Sequence, residues 1–394
     1  MNTNASKSVR NKIARKVLDL PRSGIRDFFE IVSTRKDIIS LGIGEPDFNT
    51  PWHIREASIF AIERGATCYT SNLGLLKLRR ALSEYVLKMF NLNYRAENEI
   101  LITVGVSEAL DIAMRALLEP GDEVLYHEPC FVSYAPEITL AGGVAVAVAT
   151  RAEDDFLLTR AALEAKVTTK TKVLLLNFPN NPTGAVLDEA GARDIAAFAI
   201  EHDLIVISDE IYAELTYDSA HFSLASVPGM KERTVFMHGF SKTWAMTGLR
   251  LGYVCAPPEL IEAMMKIHQY LVMCAPTPSQ EAGVEALLNG ALDVGEMRES
   301  YKTRRNFIHT SFEEMGVPCI RPLGAFYAFP GIAQFGLTSH EFATRLLDEE
   351  SVAAVPGTAF GSSGEGFLRC SYATSMEQIQ EAMIRFARFI KRLK

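Results

Sequence analysis

Lys242 and Arg250 lie eight residues apart in a segment rich in glycine, serine and threonine. The apolar residues Val235, Phe236 and Met237 before it predict a buried strand, so Lys242 is expected in a turn just after that strand. In a dry cleft the pKa of an ammonium group falls, and the neutral amine can then form a Schiff base with an aldehyde. The fork-shaped guanidinium of Arg250 suits a phosphate. Aldehyde and phosphate together suggest pyridoxal 5'-phosphate (PLP), although this pair alone also fits two solvated surface cations.

Further polar residues are expected at the ends of neighbouring strands. Between residues 100 and 242, near-continuous apolar strands alternate with helices, which predicts an α/β fold with a parallel sheet covered on both faces. The carboxyl ends of parallel strands meet at one edge of the sheet, where ligands bind. The side chains expected at that edge are those of Ser107, Asn181, Asp209, Tyr212 and Lys242. Packing alone does not explain why five polar side chains fall at the carboxyl ends of strands.

The first of these strands, residues 100–104, ends in Gly105, Val106 and Ser107. Ser107 is expected to cap a helix from about 108 to 118. Free amides and the helix dipole converge at such a terminus and favour an anion such as phosphate. A capped helix without a ligand explains this segment equally well.

The composition describes an ordinary globular protein with a large core. The 394 residues suggest two or more domains, with 48% hydrophobic and 22% charged residues. The net charge of −8 offers no basic surface for nucleic acid, and no run reaches the roughly 18 apolar residues of a membrane span. The six cysteines show no CxxC pair, so neither a metal site nor a disulfide framework is predicted. Residues 1–20 are basic without the apolar core of a secretory signal, and we expect a helical arm and a cytoplasmic protein.

Seven segments resemble the class I/II aminotransferases, which are PLP enzymes of fold type I, and the resemblance runs from about Arg15 to the C-terminus. As an ordered set the segments are specific, and they are most similar to the subgroup of aspartate, aromatic and prephenate aminotransferases. The segments are Leu41–Phe48, Phe131–Pro136, Asn180–Gly184, Ser208–Tyr212, Gly239–Lys242, Ala245–Arg250 and Arg369–Ala373.

The resemblance implies a homodimer whose chains each have two domains. Residues 50–290 would form the large domain, with a mostly parallel sheet of the seven-stranded type between helices. Residues 1–49 would contribute an arm and part of the smaller α+β domain, which residues 291–394 complete. Mixed short strands and helices after residue 320 agree with a smaller α+β unit.

The family's roles for the PLP ring fall on residues with suitable chemistry. Lys242 would hold the cofactor through a Schiff base and, once released, carry a proton. Asp209 would pair with the pyridine nitrogen and keep it protonated. Tyr212 and Asn181 would donate hydrogen bonds to the phenolate oxygen, and Phe131 would stack on the ring.

The resemblance also implies a phosphate site and a substrate site. The phosphate would be held by Gly105, Val106, Ser107 and Arg250, and by Tyr69 of the neighbouring subunit, so that two chains share each active site. Arg369 would bind the substrate α-carboxylate through both arms of its guanidinium, with help from Gly44 and Asn181. Many members carry serine where this chain has Gly239, and the role of Ser241 stays open.

The choice of substrate rests on residues around the expected side-chain pocket. Some aspartate-using members carry lysine at the position of Ser107, and others carry arginine in the stretch that is here residues 268–274; this chain has neither. The apolar segment Ile25–Phe29 favours tyrosine and phenylalanine as amino donors with 2-oxoglutarate as acceptor, although Arg22 and Arg26 leave aspartate or prephenate open. A PLP-dependent β-lyase or decarboxylase is a further alternative. A PLP-sensing regulator would need a DNA-binding module, for which the 40 residues before Leu41 leave no room.

Overall fold

The computed structural model describes residues 9–20 and 37–393. The strands are β1 (Ile39–Ser40), β2 (Ile100–Thr103), β3 (Glu123–Glu128), β4 (Val144–Ala149), β5 (Thr171–Asn177), β6 (Ile205–Asp209), β7 (Thr234–Gly239), β8 (Gly252–Cys255), β9 (Tyr327–Ala328), β10 (Val352–Ala353), β11 (Val355–Pro356) and β12 (Leu368–Ser371). The α-helices are α1 (Arg15–Leu18), α2 (Trp52–Glu63), α3 (Leu76–Phe90), α4 (Gly105–Leu117), α5 (Tyr134–Ala141), α6 (Arg160–Glu164), α7 (Glu189–Glu201), α8 (Phe240–Thr243), α9 (Pro258–Leu271), α10 (Thr277–Asn289), α11 (Ala291–Glu314), α12 (Ser339–Glu350) and α13 (Met376–Leu393).

In the described part of the chain, the central sheet has seven strands in the order β2-β8-β7-β6-β5-β3-β4. Every neighbouring pair is parallel except those that β8 makes with β2 and β7. The α/β class and the mostly parallel sheet are therefore confirmed. The sequence analysis did not predict β8, which is only four residues long and follows a glycine-containing turn directly.

Alternate residues of each central strand enter hydrophobic clusters on opposite faces of the sheet. In β5, Leu174 and Leu176 pack with residues of α7, whereas Val173 and Leu175 pack with residues of α4 and α9. Burial on both faces explains why these strands are continuously apolar rather than alternating. Helices on both sides leave the carboxyl edge of the sheet to the loops.

A close approach of backbone at that edge depends on glycine. A Cβ atom on Gly252, at the start of β8, would lie 2.6 Å from the carbonyl carbon of Gly105. Gly105 itself has a φ of +76°, a region that favours glycine. These two glycines let β8 pack against the beginning of α4 and so fix where its first amides lie.

A second layer of short strands lies over this edge. Strand β1 pairs in parallel with β10, and β11, β12 and β9 form an antiparallel sheet. Residues of α11, α12 and α13 pack into one core with β1, β9, β10 and β12. The apolar residues 352–355 could be taken for one short strand, but Ala354 separates β10 from β11, which belong to different sheets. Arg369 lies on β12, and the segment that follows β1 leads to Gly44.

Some of the residues used in the predictions lie outside residues 9–20 and 37–393. The apolar segment Ile25–Phe29 and both Arg22 and Arg26 lie outside the described residues. Of the expected N-terminal arm, the described part contains the short helix α1, and Lys16 within this helix donates a hydrogen bond to the Leu140 carbonyl at 2.8 Å. Among the described helices, none is long and apolar enough to cross a membrane.

Candidate active site

A cavity of about 370 Å³ lies where the carboxyl edge of the central sheet meets the second layer. Its size is within the range of small-molecule sites. Ten of the predicted site residues line it, namely Gly44, Val106, Ser107, Phe131, Asn181, Asp209, Tyr212, Lys242, Arg250 and Arg369. Ser241, whose role stayed open, lines it as well.

The amine of Lys242 lies in the cavity, on the short helix α8 that follows β7. Its Nζ donates a hydrogen bond to the Gly44 carbonyl at 2.7 Å and lies 5.8 Å from the centre of the Phe326 ring. Burial lowers the pKa of Lys242 to about 8, and the nearby charges of Arg369 and Arg250 act in the same direction. About a tenth of the amine is therefore neutral and nucleophilic at pH 7, far more than at the ordinary pKa of 10.5.

Asp209, the last residue of β6, carries a buried carboxylate. Its Oδ2 accepts a hydrogen bond from the Tyr134 hydroxyl at 2.8 Å, and its Oδ1 accepts one from the Ile211 amide at 3.2 Å. Burial raises the pKa of Asp209 to about 6. Asn177 donates to the Asp209 backbone carbonyl at 2.9 Å. A carboxylate held in this way is oriented and is ready to pair with a cationic group.

Arg369 is a buried cation to which the described residues offer no acidic partner. Its Nη1 donates to Asn181 Oδ1 at 3.1 Å and its Nη2 to the Gly42 carbonyl at 2.6 Å, whereas its Nε has no hydrogen-bond partner within the protein as described. Among residues 9–20 and 37–393, no carboxylate forms an ion pair with it. A buried charge is costly when unpaired, so this guanidinium is built for an anionic ligand.

The first turn of α4 and Arg250 form the opposite end of the cavity. Arg250 has a φ of +51° in its turn, and its Nη1 donates to the Thr247 carbonyl at 2.9 Å. Its guanidinium packs over Gly105, where a Cβ atom would lie 2.8 Å from Nη2. Within the part of the chain that is described, Arg250 makes no ion pair with an acid. Free amides beside an unpaired guanidinium form a site suited to phosphate.

The predicted cap of α4 is wrong. The helix begins at Gly105 with Val104 as its N-cap, and the Val104 amide donates a hydrogen bond to the Glu108 carboxylate rather than to a serine. Ser107 therefore lies inside the first turn, although it still lines the cavity. The positive φ of Gly105 lets the helix start earlier than the preference of serine for capping positions suggested.

Tyr69 and Gly105 are the predicted site residues that do not line the cavity. Gly105 lies directly beneath Arg250, whereas Tyr69 belongs to an exposed loop. The Tyr69 side chain is 78% exposed in the single chain. Its loop is held in place, since Thr277 donates to the Cys68 carbonyl at 2.7 Å and Asn72 donates to the Met273 carbonyl at 2.8 Å.

The sequence analysis missed several lining residues. They are Glu45, Leu110, Tyr134, Asn177, Ile211, Thr247 and Tyr327. Tyr134 and Asn177 could have been predicted from the sequence. Tyr134 belongs to one of the seven segments, and Asn177 directly follows the apolar run 173–176. Tyr327 gave no such signal. Its hydroxyl lies 2.9 Å from that of Tyr212.

Comparisons with known proteins identify the family of the chain. The family described as "Aminotransferase class I and II" matches residues 36–386. The chain is 54% identical to the putative aminotransferase YugH of Bacillus subtilis, over 95% of this chain and 97% of that protein. It is 48% identical to an aspartate aminotransferase of Pyrococcus abyssi, over 94% and 96%. An aromatic aminotransferase structure from Pyrococcus horikoshii OT3 is similar with a TM-score of 0.89 and 47% identity, over 93% and 99%. The chain belongs to the class I and II aminotransferases.

Members of this family depend on PLP, and the protein is a PLP-dependent aminotransferase of fold type I. Its cavity fits that cofactor. A buried amine with a lowered pKa can meet the aldehyde, a buried carboxylate can meet the pyridine nitrogen, and a helix start beside Arg250 can meet the phosphate. The unpartnered Nε of Arg369 leaves a donor for a second anion.

Proposed function

We propose that this aminotransferase moves the amino group of an aromatic L-amino acid, tyrosine or phenylalanine, to 2-oxoglutarate in a ping-pong reaction. The observation that carries the proposal is the buried Arg369 guanidinium in the same cavity as the Lys242 amine. An amino acid and a 2-oxo acid share an α-carboxylate next to the reacting carbon. One cation can therefore orient both substrates in turn.

PLP supplies an aldehyde that takes up the amino group and a pyridinium ring that withdraws electrons from the substrate's α-carbon. The residues of the chain provide orientation and proton transfer. We propose that Asp209 keeps the ring nitrogen protonated and that Tyr212 and Asn181 donate hydrogen bonds to the ring oxygen. Phe131 covers one face of the ring. Lys242 would hold the aldehyde carbon and, once the substrate amine has displaced it, would accept the proton that the substrate's α-carbon loses.

We propose that the phosphate is bound by the amides of Gly105, Val106 and Ser107, by the Ser107 hydroxyl and by Arg250. Arg369 binds the substrate α-carboxylate with Gly44 and Asn181 beside it. In the structure Gly44 and Asn181 already contact Lys242 and Arg369 directly. These contacts keep the donors pointed into the cavity before a ligand arrives.

Support for an aromatic donor comes from two positions at which, by the resemblance, aspartate-using members carry a second cation. Residues 268–274 contain no arginine, and Tyr270, Leu271, Val272 and Met273 expose apolar surface there. Ser107 occupies the position at which some aspartate-using members carry a lysine, which would supply a cation for the side-chain carboxylate. Burying a side-chain carboxylate without a cation is costly, which disfavours aspartate. The second carboxylate of 2-oxoglutarate has the same requirement, and we propose that Arg22 or Arg26 meets it for the acceptor. Aspartate is the second candidate, because the similar proteins include aspartate aminotransferases.

We expect tyrosine and phenylalanine to exceed aspartate in kcat/KM with 2-oxoglutarate as acceptor. The measurement compares the three donors under identical conditions and quantifies both 2-oxo acid products. Transamination requires the acceptor, whereas a β-lyase would release its product without one, so omission of 2-oxoglutarate is the control. A tenfold advantage for aspartate, about 1.4 kcal/mol of transition-state binding, would contradict the aromatic proposal.

We further propose a homodimer with shared sites, located in the cytoplasm, where its six free thiols would stay reduced. Helix α2 exposes Trp52 at 58%, Phe60 at 57% and Ile62 at 55%. Large apolar side chains in that number on one helix are typical of a buried interface. The hydrogen bond between Asn72 and Met273 joins the Tyr69 loop to the exposed segment 268–274.

A mixing experiment tests the shared site. Tyr69→Ala and Arg369→Leu should each be nearly inactive alone. If each site combines Arg369 of one chain with Tyr69 of the other, every mixed dimer contains one native site, and a one-to-one mixture should recover about a quarter of native activity. Mass spectrometry of the intact dimers confirms subunit exchange. Mixed dimers without recovered activity would show that Tyr69 acts within its own chain or not at all.

A further inference from the structure

Tyr327 contacts both a proposed cofactor-binding residue and the proposed carboxylate-binding residue. It lies on β9, where it pairs with Ser371 of β12, two residues after Arg369. Its side chain is buried and lines the cavity. No segment of the sequence resemblance includes it.

The ring of Tyr327 lies against the Arg369 guanidinium. The guanidinium carbon is 4.6 Å from the centre of the Tyr327 ring and 4.7 Å from the centre of the Phe360 ring. Contacts with two aromatic rings hold the guanidinium by packing and cation–π attraction. Asn181 and Gly42 hold its two terminal nitrogens. Bidentate binding of a carboxylate needs a guanidinium fixed in its plane, and these contacts restrict that plane.

The hydroxyl of Tyr327 lies 2.9 Å from the Tyr212 hydroxyl. Burial raises the pKa of both phenols, so both stay protonated at neutral pH. If Tyr212 donates its proton to the cofactor oxygen, its own oxygen is free to accept, and Tyr327 must be the donor of this hydrogen bond. The Tyr327 hydroxyl also explains the glycine at position 44, where a Cβ atom would lie 2.7 Å from it.

We propose that Tyr327 is a positioning residue with two separable functions. Its ring keeps Arg369 aligned for the substrate carboxylate, and its hydroxyl keeps Tyr212 aligned for the cofactor oxygen. This inference rests on the roles proposed above for Arg369 and Tyr212. Through Tyr327, the residue proposed to bind the substrate carboxylate is connected to the residue proposed to hydrogen-bond the cofactor oxygen.

The two functions predict different effects for three variants of the PLP-loaded enzyme. One readout is the dissociation constant of 3-phenylpropionate, a carboxylate without an amino group, measured by calorimetry. The other is the pH midpoint of the absorbance change of the bound cofactor. Tyr327→Phe should raise the midpoint by about 0.5 pH unit, because Tyr212 then stabilises the cofactor oxygen less well, and should change the dissociation constant by less than about twofold.

Phe360→Leu is the matched variant, because it removes the other aromatic face and leaves both hydroxyls in place. It should weaken 3-phenylpropionate binding about tenfold with an unchanged midpoint. Tyr327→Leu removes both the ring and the hydroxyl, so it should weaken 3-phenylpropionate binding and also raise the midpoint. If Tyr327→Phe leaves the midpoint unchanged, or Tyr327→Leu leaves the affinity unchanged, the inference is wrong and Tyr327 only fills space.

Two reference variants separate this inference from the proposed function. Arg369→Lys should weaken 3-phenylpropionate binding, and Tyr212→Phe should raise the midpoint. If these references fail, the assigned roles of Arg369 and Tyr212 are wrong, and the inference falls with them. If they succeed while the Tyr327 and Phe360 variants behave like the native enzyme, only the inference is overturned.

Discussion

Borohydride reduction of the native enzyme is expected to fix PLP on the peptide that contains Lys242, and Lys242→Ala should lower kcat by at least about 10⁴-fold. The substitution removes both the amine that holds the aldehyde and the base that moves the proton. Because burial lowers the pKa of this amine to about 8, capture of PLP by the cofactor-free enzyme should speed up with pH and level off above about pH 8. Peptide mapping by mass spectrometry and stopped-flow absorbance give the two measurements.

Lys172 provides the matched control. It lies near the beginning of β5, at the opposite edge of the sheet from the cavity, and forms an exposed ion pair with Asp122 at 2.7 Å. Lys172→Ala should leave reduction, capture rate and turnover unchanged, because exposed ion pairs contribute little. Label on a lysine other than Lys242, or a Lys242→Ala enzyme that retains more than a tenth of native kcat, would contradict the assignment.

The sequence predicted those site residues that follow a recognisable element. Lys242, Asp209 and Asn181 come after apolar strands, and parallel strands bring their carboxyl ends to one edge. Arg369 lies on a strand of the second layer, far along the chain, and was placed only through the resemblance of its segment. Membership of the family, the α/β fold and the cofactor are confirmed.

What the sequence could not predict depends on register and backbone conformation. Tyr327 faces Arg369 because of how two short antiparallel strands pair, and a two-residue strand carries no readable periodicity. The start of α4 depends on the positive φ of Gly105, and no neighbouring side chain in the sequence indicates that conformation. The split of residues 352–355 between two sheets likewise requires partners that are distant in sequence. Local propensity is a weak guide at such points, since tertiary contacts decide them.

Asp209→Asn is expected to retain PLP and to lower kcat by about 10³-fold. The covalent bond to Lys242 and the phosphate contacts hold the cofactor in place, whereas the amide cannot neutralise a protonated ring nitrogen. Tyr134→Phe, which removes the hydroxyl that donates to Asp209 Oδ2, should cause a smaller loss of about tenfold. The measurements are cofactor content, absorbance and kcat of each purified variant. A kcat of Asp209→Asn within tenfold of native would exclude the proposed role.

The pH dependence of stability provides an independent test of the same carboxylate. Burial raises the pKa of Asp209 from an ordinary 3.8 to about 6, so between these values the folded cofactor-free protein binds a proton that the unfolded chain does not. Stability must therefore fall as pH rises through this interval, by about 3 kcal/mol relative to Asp209→Asn, which has no carboxyl group to titrate. Urea unfolding of both proteins at pH 4, 5, 6 and 7 measures the difference. With PLP bound, the positive ring nitrogen should stabilise the ionised carboxylate, and the fall should shrink. A fall that is equally large with PLP would show that Asp209 does not pair with the cofactor.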